Sequence, residues 1–389
     1  MGLDAGPSTT GRGGGVTVAL TALVALAVAI GIGRFAFTPI LPMMQEDAGV
    51  SIAAGGWLAA ANYVGYLAGA ASIVWIRIPP AVAIRTGLVT IGVATVAMGS
   101  ARSFPLWLVL RAVAGVASAW VLVNVSAWAL ARLAPLRRPV LNGTVFAGVG
   151  SGIALTGVIC VVLMQAGTSS ARAWVVIGAV ALGLAAGVWS AFGDDGRSGG
   201  GATAGVAADR RAWLPGWTRL VVCYGAFGFG YIVPATFLPV MAKQHIPDPV
   251  VFGWSWPVFG AAAAISAVAV NAVPRATNRR LWIASHLVMA AGIALPVVWP
   301  GLGAIMLAAL AVGGTFMVTT MVGLQAGRHA GGPHATQLMA AMTAAFGLGQ
   351  ILGPVAVSLV AGRGDGFSGA LLLAAAVLLL GAYGLRRAA

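Results

Sequence analysis

Two arginines, Arg34 and Arg111, lie inside long apolar runs and are the residues of this sequence best suited to chemistry. A guanidinium stays charged at working pH, and its N–H fork suits bidentate pairing with a carboxylate or phosphate. A charge in an apolar setting is costly, so such a side chain normally faces protein or a water-filled path. We interpret both arginines as candidate contacts for an anionic group. The alternative, that each bonds carbonyls of a neighbouring helix, stays open.

Four polar residues on helical faces complete the predicted substrate contacts. Asn62 and Tyr66 share a helical face at i, i+4 spacing. Tyr231 and Gln350, in the second half of the sequence, each lie on a helical face that also carries aromatic and glycine residues. Amide and phenol groups can bond a substrate or a neighbouring helix equally well. Both interpretations stay open for these four positions.

Catalytic and metal-binding patterns are missing from the sequence. The apolar runs contain no Asp, Glu or Lys, and Cys160 and Cys223 match no metal spacing. No nucleophile, acid and base converge at a common depth in the predicted spans. The Gly-x-x-x-x-Gly-Lys-Ser/Thr motif of phosphate-binding loops is also absent. We therefore expect no enzyme activity, no metal and no cofactor, and an ATP-driven pump is disfavoured.

The composition indicates a membrane protein. Of 389 residues, 60% are hydrophobic and 8% are charged, too few to coat a water-soluble globule. The net charge of +14 comes from arginines scattered over short connections, which disfavours a nucleic-acid partner.

The apolar runs predict an all-α integral membrane fold of twelve transmembrane helices, since each run has the roughly 20 residues that a crossing needs. The predicted spans are 16–41, 51–75, 81–101, 104–131, 139–165, 173–192, 218–242, 250–273, 280–299, 302–327, 334–361 and 367–385. With both termini in the cytoplasm, sixteen basic residues fall on the inner side and four outside. This asymmetry predicts a multi-pass protein of the cytoplasmic membrane whose inner side meets anionic lipid.

The segment 193–217 is rich in Gly, Ala and Ser, which is typical of a flexible linker, here placed in the cytoplasm. It separates two predicted six-helix bundles, and short cytoplasmic tails precede and follow them. The predicted units are the tail 1–15, the N-terminal bundle 16–192, the linker 193–217, the C-terminal bundle 218–385 and the tail 386–389.

The two halves repeat at a gapless offset of 197 residues, which relates Arg34 to Tyr231. Residues identical at this offset occur in spans 1, 2 and 5. The pairs are Gly31 and Gly228, Gly33 and Gly230, Leu41 and Leu238, Pro42 and Pro239, Met44 and Met241, Gly56 and Gly253, Trp57 and Trp254, Gly150 and Gly347, and Gly152 and Gly349. Parallel six-helix repeats with a site between them are typical of secondary transporters.

The sequence resembles the major facilitator superfamily, and its first span is similar to the YbfB/YjiJ branch. That span reads Gly-Ile-Gly-Arg-Phe-Ala-Phe-Thr-Pro-Ile-Leu-Pro-Met-Met-Gln over 31–45, and span 4 carries Arg111, Gly115 and Ala119 in RAVAGVASA. Span 5 has a glycine-spaced segment, and span 11 has its counterpart over 347–354. The connection between spans 2 and 3 lacks the acidic residue of many members. The resemblance implies the major facilitator fold, two pseudo-symmetric bundles and a monomer.

The glycines of spans 5 and 11 are predicted to let helix backbones approach closely and to allow the two halves to rock. This packing and conformational set consists of Gly148, Gly152, Gly347, Gly349, Gly353 and Pro354.

Together these patterns predict a secondary transporter that moves a small, anionic organic solute by alternating access. Export of lipophilic drugs is the alternative, disfavoured by the lack of embedded carboxylates; a membrane sensor or scaffold and an intramembrane enzyme are the candidates from other classes. Arginine cannot itself carry the coupled proton. Import and export stay open, as do symport, antiport and uniport.

Overall fold

The computed structural model describes residues 10–73, 75–76, 78–193, 213, 216–246, 248–272, 278–360 and 368–386. Fourteen α-helices account for most of this part of the chain. They are α1 Thr10–Leu26, α2 Phe37–Asp47, α3 Ile52–Ser72, α4 Pro80–Ser100, α5 Phe104–Leu133, α6 Pro139–Gln165, α7 Ser170–Val188, α8 Trp217–His245, α9 Pro249–Gly253, α10 Ser255–Ala269, α11 Asn278–Val298, α12 Leu302–Gly331, α13 Ala335–Val360 and α14 Ser368–Arg386. A π-helix, Ala27–Ile32, continues α1.

Ten stretches of the described chain are long and apolar enough to cross a membrane. One of them, Leu302–Leu359, holds both α12 and α13, which a short 3-10 turn at Gly332–His334 joins. Helix α3 has 21 residues and lies outside the ten. Glycines and the polar groups of Asn62, Tyr63 and Tyr66 lower its hydropathy. The chain is therefore a helical membrane protein with many spans.

The first predicted span, 16–41, differs from the structure in extent and continuity. The helix is described from Thr10 and ends at Asp47, and a turn over 33–36 interrupts it between the π-helix and α2. Pro39 has no N–H to offer the Phe35 carbonyl, which instead accepts from the Thr38 amide at 3.2 Å. The Arg34 carbonyl thereby loses the donor that an unbroken helix would give it. The break therefore exposes backbone acceptors beside Arg34.

Contacts between the two halves of the sequence follow the 197-residue offset. The Thr38 hydroxyl donates to the Ala235 carbonyl at 3.0 Å, and these positions are one repeat apart. Two equivalent positions of a repeat touch each other only on the symmetry axis that relates the halves. Helices α2 and α8 thus meet on this axis.

Two further pairs of contacts repeat with the same offset. Gly56 of α3 lies against Ser358 of α13, and Gly253 lies against Val161 of α6. Gly150 of α6 lies against Ala264 of α10, and Gly347 of α13 lies against Leu67 of α3. The packing of α3 on α13 therefore resembles that of α10 on α6, which is what a duplicated chain with two-fold symmetry requires.

The predicted packing glycines also bring helices together within each half. Gly148 and Gly152 of α6 lie against backbone atoms of Leu23 and Ala27. In the other half, Gly349 lies against the backbone of Gly225 and Phe229 in α8, Gly353 lies against Ile232, and the carbonyl of Pro354 accepts from Ser358 at 2.9 Å. A Cβ at any of these four glycines would meet backbone atoms or, at Gly353, the branched side chain of Ile232.

One end of the helical assembly is held together across the halves, and we call it the closed end. The Lys243 ammonium pairs with the Glu46 carboxylate at 2.6 Å and donates to the Pro42 carbonyl at 3.0 Å. The Ser358 hydroxyl donates to the Ala53 carbonyl at 3.0 Å. These bonds join α2 and α3 to α8 and α13 at one level.

The predicted linker 193–217 and the predicted tails fall largely outside the described residues. Residues 1–9 and 387–389 are outside them, as is most of the linker, and the described helix already includes 10–15 of the predicted N-terminal tail.

Gly152→Ala should lower the free energy of unfolding by roughly 1–3 kcal/mol, because the new methyl group meets the rigid backbone of Ala27. Gly183→Ala is the matched control, since a Cβ there enters open space and alanine favours the helix by about 1 kcal/mol. Thermal unfolding of the detergent-solubilised proteins compares the two. Equal stability of both variants would contradict the close contact between α6 and α1.

Candidate functional site

Arg111 donates hydrogen bonds to the backbone carbonyls that lose their helical donors at the break in the first span. Its Nη2 donates to the Arg34 carbonyl at 2.9 Å, and its Nη1 donates to the Gly33 carbonyl at 3.4 Å. The guanidinium lies over the Phe37 ring, 5.0 Å from the centroid, and the residue is buried. Two of its three nitrogens are thus committed to the protein, and Arg111 holds α5 against the first span.

Asn62, on α3, also donates a hydrogen bond to the backbone at this break. Its Nδ2 donates to the Gly33 carbonyl at 3.2 Å and to the Arg111 carbonyl at 2.9 Å, and the side chain is fully buried. Gly65, one turn later, brings α3 close to the backbone of Ala112. Asn62 therefore links three helices rather than presenting its amide N–H groups to a cavity.

Arg34 differs from Arg111 in the hydrogen bonds of its guanidinium group. It is 5% exposed, and its Nε and Nη2 have no hydrogen-bond partner among the described residues. Aromatic rings surround the guanidinium carbon, with the Tyr66 centroid at 4.2 Å, Tyr63 at 5.1 Å and Phe35 at 5.5 Å. Cation–π contacts stabilise the charge but leave N–H groups unused. The side chain is held in place and still has hydrogen bonds to give.

Tyr231, one repeat away from Arg34, lies in the second half on the other side of the interface. Its hydroxyl accepts a hydrogen bond from Gln350 Nε2, and both residues are buried. Its ring stacks on Phe316, which lies 6.4 Å from the Phe35 ring beside Arg34. The predicted residues Arg34, Tyr66, Tyr231 and Gln350 therefore come together between the halves.

Exposure along α13 shows from which side this region is reached. Thr343, Phe346 and Gln350 lie on one helical face, and Gln350 and Phe346 both contact Tyr231. Gln350 is fully buried, Phe346 is half-buried and Thr343 is exposed. Since this face points to the interior between the halves, the growing exposure indicates an opening at the end opposite the closed end.

Sequence reasoning missed several residues of the site. The Tyr63 hydroxyl shares a 3.2 Å hydrogen bond with the Thr236 hydroxyl across the halves, and Phe35 lies 6.4 Å from Phe316 between ring centroids. Tyr63 was detectable in principle as a third polar aromatic on α3. Thr236 and Phe316 have no sequence signal, because threonine and phenylalanine are ordinary residues of apolar helices.

The described part of the chain holds no group of three or more His, Cys, Asp or Glu side chains placed to bind a metal. The site contains a guanidinium with two nitrogens that lack partners among the described residues, together with aromatic faces, the phenols of Tyr63, Tyr66 and Tyr231, and the amide of Gln350. This is the chemistry of binding and orientation.

A helical membrane fold with a buried polar site is the arrangement expected of a membrane transporter. A structure comparison agrees: the chain is similar to a crystal structure of a mutant of the nucleoside transporter NupG, with a TM-score of 0.71 and 10% sequence identity over 95% of this chain and 99% of that one. At that identity the likeness concerns the fold.

The family model described as "Uncharacterised MFS-type transporter YbfB" matches residues 26–385. The chain therefore belongs to this family of major facilitator transporters, in agreement with the resemblance seen in the first span. A search of curated proteins found no match.

Asn62→Leu should lower the free energy of unfolding by about 1–3 kcal/mol, because it removes both bonds that tie α3 to the first span and to α5, and it leaves the Gly33 carbonyl with only the longer Arg111 bond. The control is Asn124→Leu, since Asn124 donates only to the Trp120 carbonyl of its own helix at 2.8 Å. That change should cost about 0.5 kcal/mol or less. Thermal melts in which the two variants lose equal stability would count against the bridging role of Asn62.

Proposed function

We propose that this protein is a secondary active transporter that moves a small organic anion across the cytoplasmic membrane by alternating access. The observation that carries the proposal concerns Arg34, a residue that is 5% exposed: its Nε and Nη2 have no hydrogen-bond partner in the described part of the chain. A buried charge without a counter-ion is strongly unfavourable. A carboxylate or phosphate on the solute would supply that counter-ion and accept both N–H groups.

No side chain of the spans can serve as this counter-ion, because none of the eight acidic residues of the sequence falls within a predicted span. At the closed end, Glu46 pairs with Lys243, and Asp47 accepts from the Ser170 hydroxyl at 2.7 Å. A neutral nucleoside, the kind of compound named for the similar structure, would leave the Arg34 charge uncompensated. We therefore favour an anion.

The six predicted substrate contacts divide into two roles in this proposal. Arg34 binds the anionic group, and Tyr66, Tyr231 and Gln350 line the same region. Arg111 and Asn62 bond the backbone at the break and fix the position of Arg34. Arg111 thus acts through the first span, with Nε as its one buried nitrogen that has no partner among the described residues.

The proposed architecture has twelve spans in two six-helix bundles, 16–192 and 218–385, joined by a cytoplasmic linker. Both termini lie in the cytoplasm because the basic residues concentrate on that side. The closed end then faces outward, and the described conformation opens towards the cytoplasm. A monomer suffices, since both halves of the site come from one chain.

Purified protein should be stabilised against heat by an organic anion that it transports, and Arg34→Gln should lose this stabilisation while remaining folded. A ligand at a hundred times its dissociation constant adds about 2.7 kcal/mol. Arg34→Lys keeps the charge but loses the fork, so it should retain a weaker response. Arg85→Gln is the control, because Arg85 donates to the Trp189 carbonyl at a surface position.

An equal response of wild type and Arg34→Gln to every anion in the panel would overturn the role of Arg34. Stabilisation only by lipophilic cations would favour the drug-export alternative.

Lys243→Gln should shift the protein towards an outward-open state, because it removes the Glu46 ion pair of the closed end. The pair is partly exposed and is worth about 1 kcal/mol or less, so the shift is up to roughly fivefold. The reporter is Ala235→Cys, fully buried one turn from Tyr231 on the side of the closed end, with Cys160 and Cys223 replaced by alanine. Labelling by a membrane-impermeant maleimide added outside the cell should be faster.

Gln244→Ala, at the neighbouring exposed position, should leave the labelling rate unchanged. Slower labelling of the Lys243→Gln protein would contradict an outward-facing closed end.

A further inference from the structure

Arg34 presents its free donors in an aromatic setting, which restricts what can lie next to them. Tyr66, Tyr63 and Phe35 have centroids 4.2, 5.1 and 5.5 Å from the guanidinium carbon. These three rings come from α3 and from the break in the first span. A solute whose anionic group reaches Nε and Nη2 must therefore pass its adjacent atoms between rings.

The second half supplies a set of rings facing the same interface, which we call the aromatic wall: Phe227, Tyr231, Phe316 and Phe346. Tyr231 lies at its centre, stacked on Phe316 at 4.8 Å and 16°, on Phe346 at 5.6 Å and 4°, and on Phe227 at 5.1 Å and 28°. The wall touches the Arg34 side through Phe35 and Phe316, whose centroids are 6.4 Å apart.

The near-parallel planes of the wall suit a flat ligand. Aromatic rings prefer offset stacks with centroids 4.5–7 Å apart, and the interplanar angles of Tyr231 with Phe316 and Phe346 already have this form. A flat ring continues such a stack, whereas a puckered aliphatic ring cannot lie flat against it. Phe346 and Tyr66 are half-buried, so the stack is accessible at these two rings.

We propose that the ligand is an aromatic carboxylate, with its carboxylate on Arg34 Nε and Nη2 and its ring between Tyr66 and the aromatic wall. The inference rests on the proposed function and narrows it to one substrate class. It also uses the difference between the halves: the first half presents a cation among rings, and the second half presents rings around the equivalent position, Tyr231.

The experiment compares four small probes that separate charge from aromaticity: benzoate, cyclohexanecarboxylate, benzyl alcohol and cyclohexylmethanol. Dissociation constants are measured on the purified full-length protein from ligand-dependent thermal shifts and isothermal titration. Benzoate should bind most tightly, roughly 2- to 10-fold better than cyclohexanecarboxylate, since a ring contact adds to area burial alone. The two alcohols should bind far more weakly.

Phe346→Leu tests the wall directly. It should reduce the preference for benzoate over cyclohexanecarboxylate to near unity, while both carboxylates keep their dependence on Arg34. Phe146→Leu, a half-buried phenylalanine of α6, is the matched control and should keep the wild-type preference.

The outcomes separate this inference from the proposed function. Equal or tighter binding of cyclohexanecarboxylate, still lost in Arg34→Gln, overturns the aromatic preference and leaves the anion proposal standing. Binding of benzyl alcohol as tight as benzoate overturns the anion proposal itself. Failure of benzoate to bind overturns the inference, and an Arg34-dependent response to aliphatic anions would then keep the function.

Discussion

The structure depends on how two buried guanidinium groups are satisfied in an apolar medium. Helix α2 begins after a turn because Pro39 cannot donate to the Phe35 carbonyl, and the carbonyls released there accept from Arg111 and Asn62. A charge–carbonyl network of this kind is expensive to disrupt, since each group left unpaired at that depth loses its full hydrogen bond. It fixes α3 and α5 against the first span, and it leaves Arg34 as the cation with donors to spare.

Glycine contacts give the interface between the halves a different character. Gly150 lies against the backbone of Ala264, and Gly347, one repeat apart, lies against the side chain of Leu67, so equivalent glycines contact equivalent positions across the halves. Small residues bring backbones together without interlocking side chains. The polar bonds across the halves run from beside Arg34 and Tyr231, where Thr38 donates to Ala235 and Tyr63 meets Thr236, to the Lys243–Glu46 pair at the closed end.

The site arises where the two halves stop resembling each other. At the central position the first half has Arg34 and the second has Tyr231, and the rings of α12 and α13 stack on the phenol. The repeated helices therefore form the framework, and the residues that differ between the halves form the candidate site. The two buried arginines differ in their hydrogen bonds: Arg111 donates to the backbone of the first span, whereas Nε and Nη2 of Arg34 have no partner among the described residues.

The sequence by itself determined the family, the all-helical membrane character and the offset of the repeat. Those properties follow from composition, run length and identity at fixed spacing, which are local or periodic signals. It also identified Arg34 as unusual, because a charge in an apolar run is conspicuous. Only the tertiary structure decided that the first span breaks at Arg34, that Arg111 and Asn62 spend their donors on that break, and that Tyr63, Thr236 and Phe316 join the site. A hydrogen-bond partner from another helix has no fixed sequence separation, so no local or periodic pattern in the sequence predicts it.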